Sequence, residues 1–112
     1  MSKQSLVVFD VSKRVFQDGA GLSSGEGPRL QGSENWSVRH HRLRGGLSDG
    51  VDVIEIDNGA LSLSVLPTRG MGLWKGSYRG LPLGWQSPVT GPVHPAFVDL
   101  NDRKGLGWLK GF

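Results

Sequence analysis

The sequence contains no cysteine in 112 residues. That excludes a disulfide framework, thiolate catalysis and cysteine-ligated zinc. Long apolar runs are also missing. The chain opens Met1-Ser2-Lys3-Gln4, and the run Leu6-Val7-Val8-Phe9 stops at Asp10. Such a run is too short for a signal-peptide core and far short of the roughly 20 residues of a membrane helix. The expectation is a cytoplasmic protein with no membrane partner. Charge of one sign is not concentrated either. The net charge is +3, and the basic residues are spread out apart from Arg39, Arg42 and Arg44. Nucleic-acid modules couple basic charge to a fold signature that is missing here, so no nucleic-acid partner is expected.

Glycine and proline are plentiful. There are 18 Gly and 6 Pro, and helix-forming runs are scarce. This punctuation predicts short strands joined by tight turns, an all-β chain of antiparallel sheets. The length suits one domain rather than two. Leu6 to Phe16 alternates loosely and reads as a strand or extended arm. Gln17 to Glu34 is Gly- and Ser-rich and reads as a loop. The division is therefore residues 1–35 as arm and loop, and residues 36–112 as a sheet-forming part. Within the latter, Trp36 to Leu43 is a strand candidate, followed by turn signals at Gly45-Gly46 and Ser48-Asp49-Gly50.

Val51-Asp52-Val53-Ile54-Glu55-Ile56 is β-branched and is followed by Asp57-Asn58-Gly59. Asn-Gly is the preferred pair of a type I′ turn. Leu61, Leu63 and Val65 then alternate with serines, which predicts a hairpin over 51–66. Pro67 ends that strand or forces a bulge. A second hairpin is expected with Met71 to Tyr78 as one arm, Arg79-Gly80 as the turn and Leu81 to Gln86 as the other arm. The end, Gly105 to Phe112, is apolar and aromatic, and reads as a chain cut in mid-element.

Cofactor and metal motifs are few and incomplete. Gly19-Ala20-Gly21 with Gly25, and Gly105-Leu106-Gly107 with Gly111, place the third glycine one position too late for a dinucleotide loop. There is no P-loop and no nucleophile elbow. His40 and His41 point to opposite faces of a strand and cannot share a metal. Neither a cofactor nor a metal is expected.

From Val51 onward the order is more specific. Pro67-Thr68-Arg69-Gly70-Met71 precedes Gly80-Leu81-Pro82-Leu83 with Trp85-Gln86-Ser87-Pro88, then His94-Pro95 and Gly107-Trp108-Leu109. This order resembles a bacterial family of aldose-1-epimerase-related proteins described as a domain of unknown function, within the galactose mutarotase-like superfamily. The resemblance covers about the second half of the chain. It implies an incomplete, N-terminal part of a mutarotase-like β-sandwich, with an aldose or derivative as the bound molecule. In the superfamily a glutamate base and a histidine acid open and reclose the sugar ring, and both must reach the bound sugar. The resemblance puts those groups in later strands. The glutamates here are Glu26, Glu34 and Glu55, and none matches the motif of that base, so no catalytic residue is assigned.

Three residues are candidates for sugar contact. Arg69 sits at a bend where its fork can bind hydroxyls or an anionic group, or can instead tie down the turn through backbone carbonyls. His94 can donate to a hydroxyl or act as a structural loop histidine. Trp108 can stack on a pyranose or lie in a core, and the resemblance sets it near the cleft. Trp74 carries the same two readings, and Trp85, beside Leu83, is expected in the core. The segment Arg39 to Arg44 is expected to be a solvated strand face. Three functions stand: part of a sugar isomerase inactive alone, a non-catalytic sugar-binding module, or a β-rich piece that forms homo-oligomers through open strand edges.

Overall fold

A computed structural model describes Val7 and residues 9–10, 12–24, 35–89, 91–99 and 101. Among these residues the fold is all-β. β1 (Phe9–Asp10) and β2 (Val15–Phe16) form a two-stranded ribbon. Six further strands form one antiparallel sheet in chain order: β3 (Gly21–Ser23), β4 (Ser37–Arg42), β5 (Asp52–Asp57), β6 (Leu61–Leu66), β7 (Gly72–Tyr78) and β8 (Leu81–Leu83). No helix among the described residues is long and apolar enough to cross a membrane.

The expected extended arm is a reversal. Asp10 Oδ1 accepts from the Ser12 hydroxyl at 2.6 Å and from the Ser12 and Lys13 amides, an Asx-type turn that folds β2 back on β1. The expected loop from residue 17 contains β3, whose Gly21 pairs with Arg39. A side chain at Gly21 would sit 2.5 Å from the Val38 carbonyl oxygen, so a strand with no side-chain pattern of its own docks by close backbone approach. Periodicity has nothing to detect there. Residues 25–34 lie outside the described set.

Both hairpins are present, but the type I′ geometry expected at Asn58-Gly59 is found at the second turn instead. Asn58-Gly59-Ala60 is a three-residue loop in which only Gly59 has positive φ, at +94°. Asn58 instead uses its side chain: Oδ1 accepts from Ala60 N at 3.0 Å and Leu61 N at 2.7 Å. The two-residue turn is Arg79-Gly80, with φ of +48° and +82°, the type I′ signature. Pro67 ends β6 and opens a single 3₁₀ turn, Pro67–Arg69. A bulge lies elsewhere, in β7, where Trp74 is the extra residue between the pairs Ser64–Lys75 and Val65–Leu73.

Register separates the two faces of the sheet. One row runs Leu22, Val38, Ile56, Leu63, Gly76 and Leu83. The next row runs Ser23, Ser37, Asp57, Ser62, Ser77 and Pro82 on the opposite face, joined there by Arg39, Glu55, Ser64 and Lys75. The first face is apolar along this row and largely open, with Leu73 69% exposed and Leu81 67%, and at one end it carries His40, Arg42 and Asp52. The second is polar except at one end, where Val51, Val53 and Leu66 form a buried cluster packed by Leu43 and Trp74. Each of those three side chains contributes about 1.5–3 kcal/mol by leaving water.

Candidate functional site

The buried end of the polar face is covered by the segment from Gly91 to Val98. Three bonds hold it. His94 N donates to the Leu47 carbonyl at 2.7 Å, Ser48 Oγ donates to the Pro92 carbonyl at 2.5 Å, and Arg69 Nη1 donates to the Val93 carbonyl at 2.8 Å. Between this segment, the Pro67–Arg69 turn and the start of β7 lies an open cavity of about 570 Å³. Leu66, Leu73, Trp74 and Val89 give it apolar walls, and Thr68, Arg69 and Ser87 supply the polar groups. That mixture of apolar wall and a few polar groups is usual for a small-molecule cleft. Among its described lining residues there is no carboxylate and no imidazole.

The structure divides the sequence-derived candidates. Arg69 lines the cavity, and its Nη1 ties down backbone at the Val93 carbonyl. His94 is adjacent through its backbone, but its ring turns elsewhere. Nδ1 accepts from Ala96 N at 3.0 Å, which caps the 3₁₀ turn Pro95–Phe97, and the ring lies against Gly50 and edge-on to Phe97. Trp108 lies outside the described residues. Trp74 is shared between the core cluster and the cavity, with Lys75 Nζ 4.2 Å from its ring centroid. Trp85 is not in the core: it is 79% exposed. Among the described residues β8 is an edge strand with all three residues exposed, and no described strand pairs beyond it to cover the indole.

A polar cluster went unread in the sequence. Arg39 and Arg44 are exposed, as expected of a solvated face, but between them His40 is buried and Arg42 half-buried in a polar network. His40 is 1% exposed, with Nε2 2.9 Å from Asp52 Oδ1 and Nδ1 2.9 Å from the Gln17 carbonyl oxygen. Arg42 grips the same carboxylate with Nε at 3.0 Å and Nη2 at 3.1 Å. The Asp52 amide bonds Thr68 Oγ1 at 2.8 Å, linking the network to the cavity turn. Burial pushes the Asp52 carboxyl up, but hydrogen bonds from Arg42 and His40 outweigh it and hold the group below its ordinary 3.8. One signal was available: the turn residues 45–50 centre a hairpin that sets Arg42 opposite Asp52. Among the described residues no group of three potential metal ligands converges.

With this geometry in view, the relatives are informative. A family model described as "Domain of unknown function (DUF4432)" matches residues 48–112. A crystal structure of a "putative aldose 1-epimerase" from Klebsiella pneumoniae subsp. pneumoniae is 31% identical and superposes with a TM-score of 0.83. The match covers 96% of this chain and 28% of that one. No curated protein matches. The residue-level resemblance and the solved structure thus agree on an aldose-1-epimerase-related, galactose mutarotase-like all-β chain, and the chain belongs to the DUF4432 family.

Proposed function

We propose that this chain supplies one wall of the sugar cleft of an aldose-1-epimerase-like isomerase, binding the ring without performing proton transfer. The observation that carries this reading is the cavity beside Arg69: it has an aromatic and aliphatic wall, a guanidinium and hydroxyls, and no acid or base among its described lining. Trp74 offers a face for sugar C–H groups, while Arg69, Thr68 and Ser87 meet hydroxyls. Trp108 is proposed as a further stacking contact, and His94 as a residue that shapes the wall through its backbone. In this reading the acid and base of mutarotation belong to strands beyond residue 112 of a longer protein. A cysteine-free chain suits a reducing compartment, so the proposed location is the cytoplasm.

Calorimetric titration with galactose and glucose tests the reading. The chain should bind at least one of them, and Arg69→Ala should weaken that binding several-fold with the far-ultraviolet spectrum unchanged. Unchanged affinity in the variant would defeat the assignment.

A second reading is favoured by the apolar face. Val38, Ile56, Leu73, Tyr78, Leu81 and Leu83 are exposed side chains on one side of the sheet. An exposed apolar face recruits another surface, and among the described residues β8 has no strand paired on its outer edge. As a homo-oligomer the chain would cover this face with a second copy. Light scattering across a concentration series should then show mass rising with concentration, and a monomer throughout would remove this reading.

A further inference from the structure

The polar face carries a second depression, of about 580 Å³, that the isomerase reading does not use. It is lined by Glu55, Ser64, Lys75, Ser77, Trp85 and Gln86 among others. It adjoins the Arg69 cavity at two places. Trp74 lines the first depression and Lys75 the second, with Lys75 Nζ 4.2 Å from the Trp74 ring centroid. Gln86 lines the second and its neighbour Ser87 the first. We propose that the second depression is an additional saccharide subsite, so that the ligand of this chain is a neutral saccharide of at least two linked rings. This rests on the sugar-binding reading above.

Three features identify the chemistry. Trp85 is 79% exposed, so its indole contributes little to the core and presents a broad apolar surface beside polar groups. A pyranose matches that arrangement, with C–H groups on the ring face and hydroxyls around the edge. The carboxylate is oriented before any ligand arrives: Ser64 Oγ donates to Glu55 Oε2 at 2.6 Å. A fixed carboxylate with the Lys75 ammonium, the Ser77 hydroxyl and the Gln86 amide provides acceptors and donors in the number that sugar hydroxyls require. Finally, Glu55 and Lys75 are the charged residues of the described lining and carry opposite charge, so the depression has no dominant sign of the kind that would select a phosphate or a uronate.

Calorimetry on the whole chain with glucose, galactose, cellobiose and lactose tests the subsite, using the native sequence, Trp85→Ala and Glu55→Gln. The disaccharides should bind about tenfold more tightly than the monosaccharides. Trp85→Ala should abolish that advantage and leave monosaccharide affinity unchanged. Glu55→Gln, which keeps the shape, should reduce it. Equal affinity for one and two rings would overturn the subsite while the isomerase reading stands. So would a disaccharide advantage that survives both substitutions. No binding of any of the four sugars would overturn both. Circular dichroism on each variant shows that the comparison is between folded chains, which the exposure of Trp85 favours.

Discussion

His40 and Asp52 sit on neighbouring strands, 2.9 Å apart from Nε2 to Oδ1, at a point where the imidazole is sealed from solvent. The pair is diagonal in the ladder, because Arg42 stands opposite Asp52 and Ile54 opposite His40. The Gln17 carbonyl closes the other side of the ring. Asp52 therefore joins three parts of the chain: its carboxylate holds Arg42 and His40 of β4, the His40 ring reaches the segment before β3, and its backbone amide reaches Thr68 in the turn that borders the cavity.

Removing the carboxylate's charge should break this junction. Asp52→Asn removes the charge and turns one of the two acceptor oxygens into an NH2 donor, so that with Oδ1 retained for His40 and Arg42 Nε the amide nitrogen faces Arg42 Nη2. The expected loss is about 3 kcal/mol, in line with breaking a buried pair from one side. Urea denaturation of the two chains measures it. A change within experimental error would show that the network is not a structural centre.

The same carboxylate sets the response to acid. Its folded value lies below 3.8, so its contribution is complete above that value and disappears as pH falls through the lower, folded value. Stability should therefore hold near neutrality and decline below about pH 4. Asp10 and Asp18 are also held low, Asp10 chiefly by the Ser12 hydroxyl. At Asp18 burial pushes upward and is outweighed by hydrogen bonds from Arg44 and the Arg42 amide. Their contributions have the same sign and remain in Asp52→Asn. Denaturation curves from pH 7 to 3 should thus fall less steeply for the variant. Parallel curves would assign the acid loss elsewhere.

The two hairpin turns make opposite predictions. Arg79 holds φ at +48°, a conformation unfavourable for a long side chain. Arg79→Asn should raise stability by a few tenths to about 1 kcal/mol, since Asn tolerates that region; loss of the Arg79 contact over Tyr78 offsets part of the gain. Asn58→Ala removes an acceptor from two amides and should cost about 1 kcal/mol. Thermal melts of both variants check the pair.

A side chain at Gly76 would lie 2.8 Å from Leu63 Cδ2 and 3.0 Å from the Ser62 carbonyl oxygen. Gly76→Val should therefore push β6 and β7 apart and cost about 1–3 kcal/mol. Gly76→Ala should cost less. A neutral Gly76→Val would show that the apolar row is looser than its register indicates.

The strands that the sequence revealed are those with a side-chain signature. Leu61, Leu63 and Val65 alternate, and the Gly-bearing turns after Asp57 and Tyr78 delimit both hairpins. β3 was hidden because Gly21 pairs by backbone approach. Asn58 misled on turn type because its amide bonds the loop from a conformation that needs no positive φ. Within the site, Arg69 was marked by the bend it occupies, Pro67-Thr68-Arg69-Gly70. The exposure of Trp85 was not readable from its neighbours, because it follows from β8 standing at the edge of the sheet among the described residues. His40 looked solvated because its partner is a diagonal neighbour twelve residues away.

Amide chemical-shift mapping of the isotope-labelled chain with galactose tests the cleft wall most directly. Shifts should concentrate at Thr68 to Trp74, Ser87 to Val89 and Gly91, around the Arg69 cavity. Saturating sugar that moves none of these amides, or moves instead those along the apolar row from Val38 to Leu83, would contradict the assignment of this cavity to a sugar.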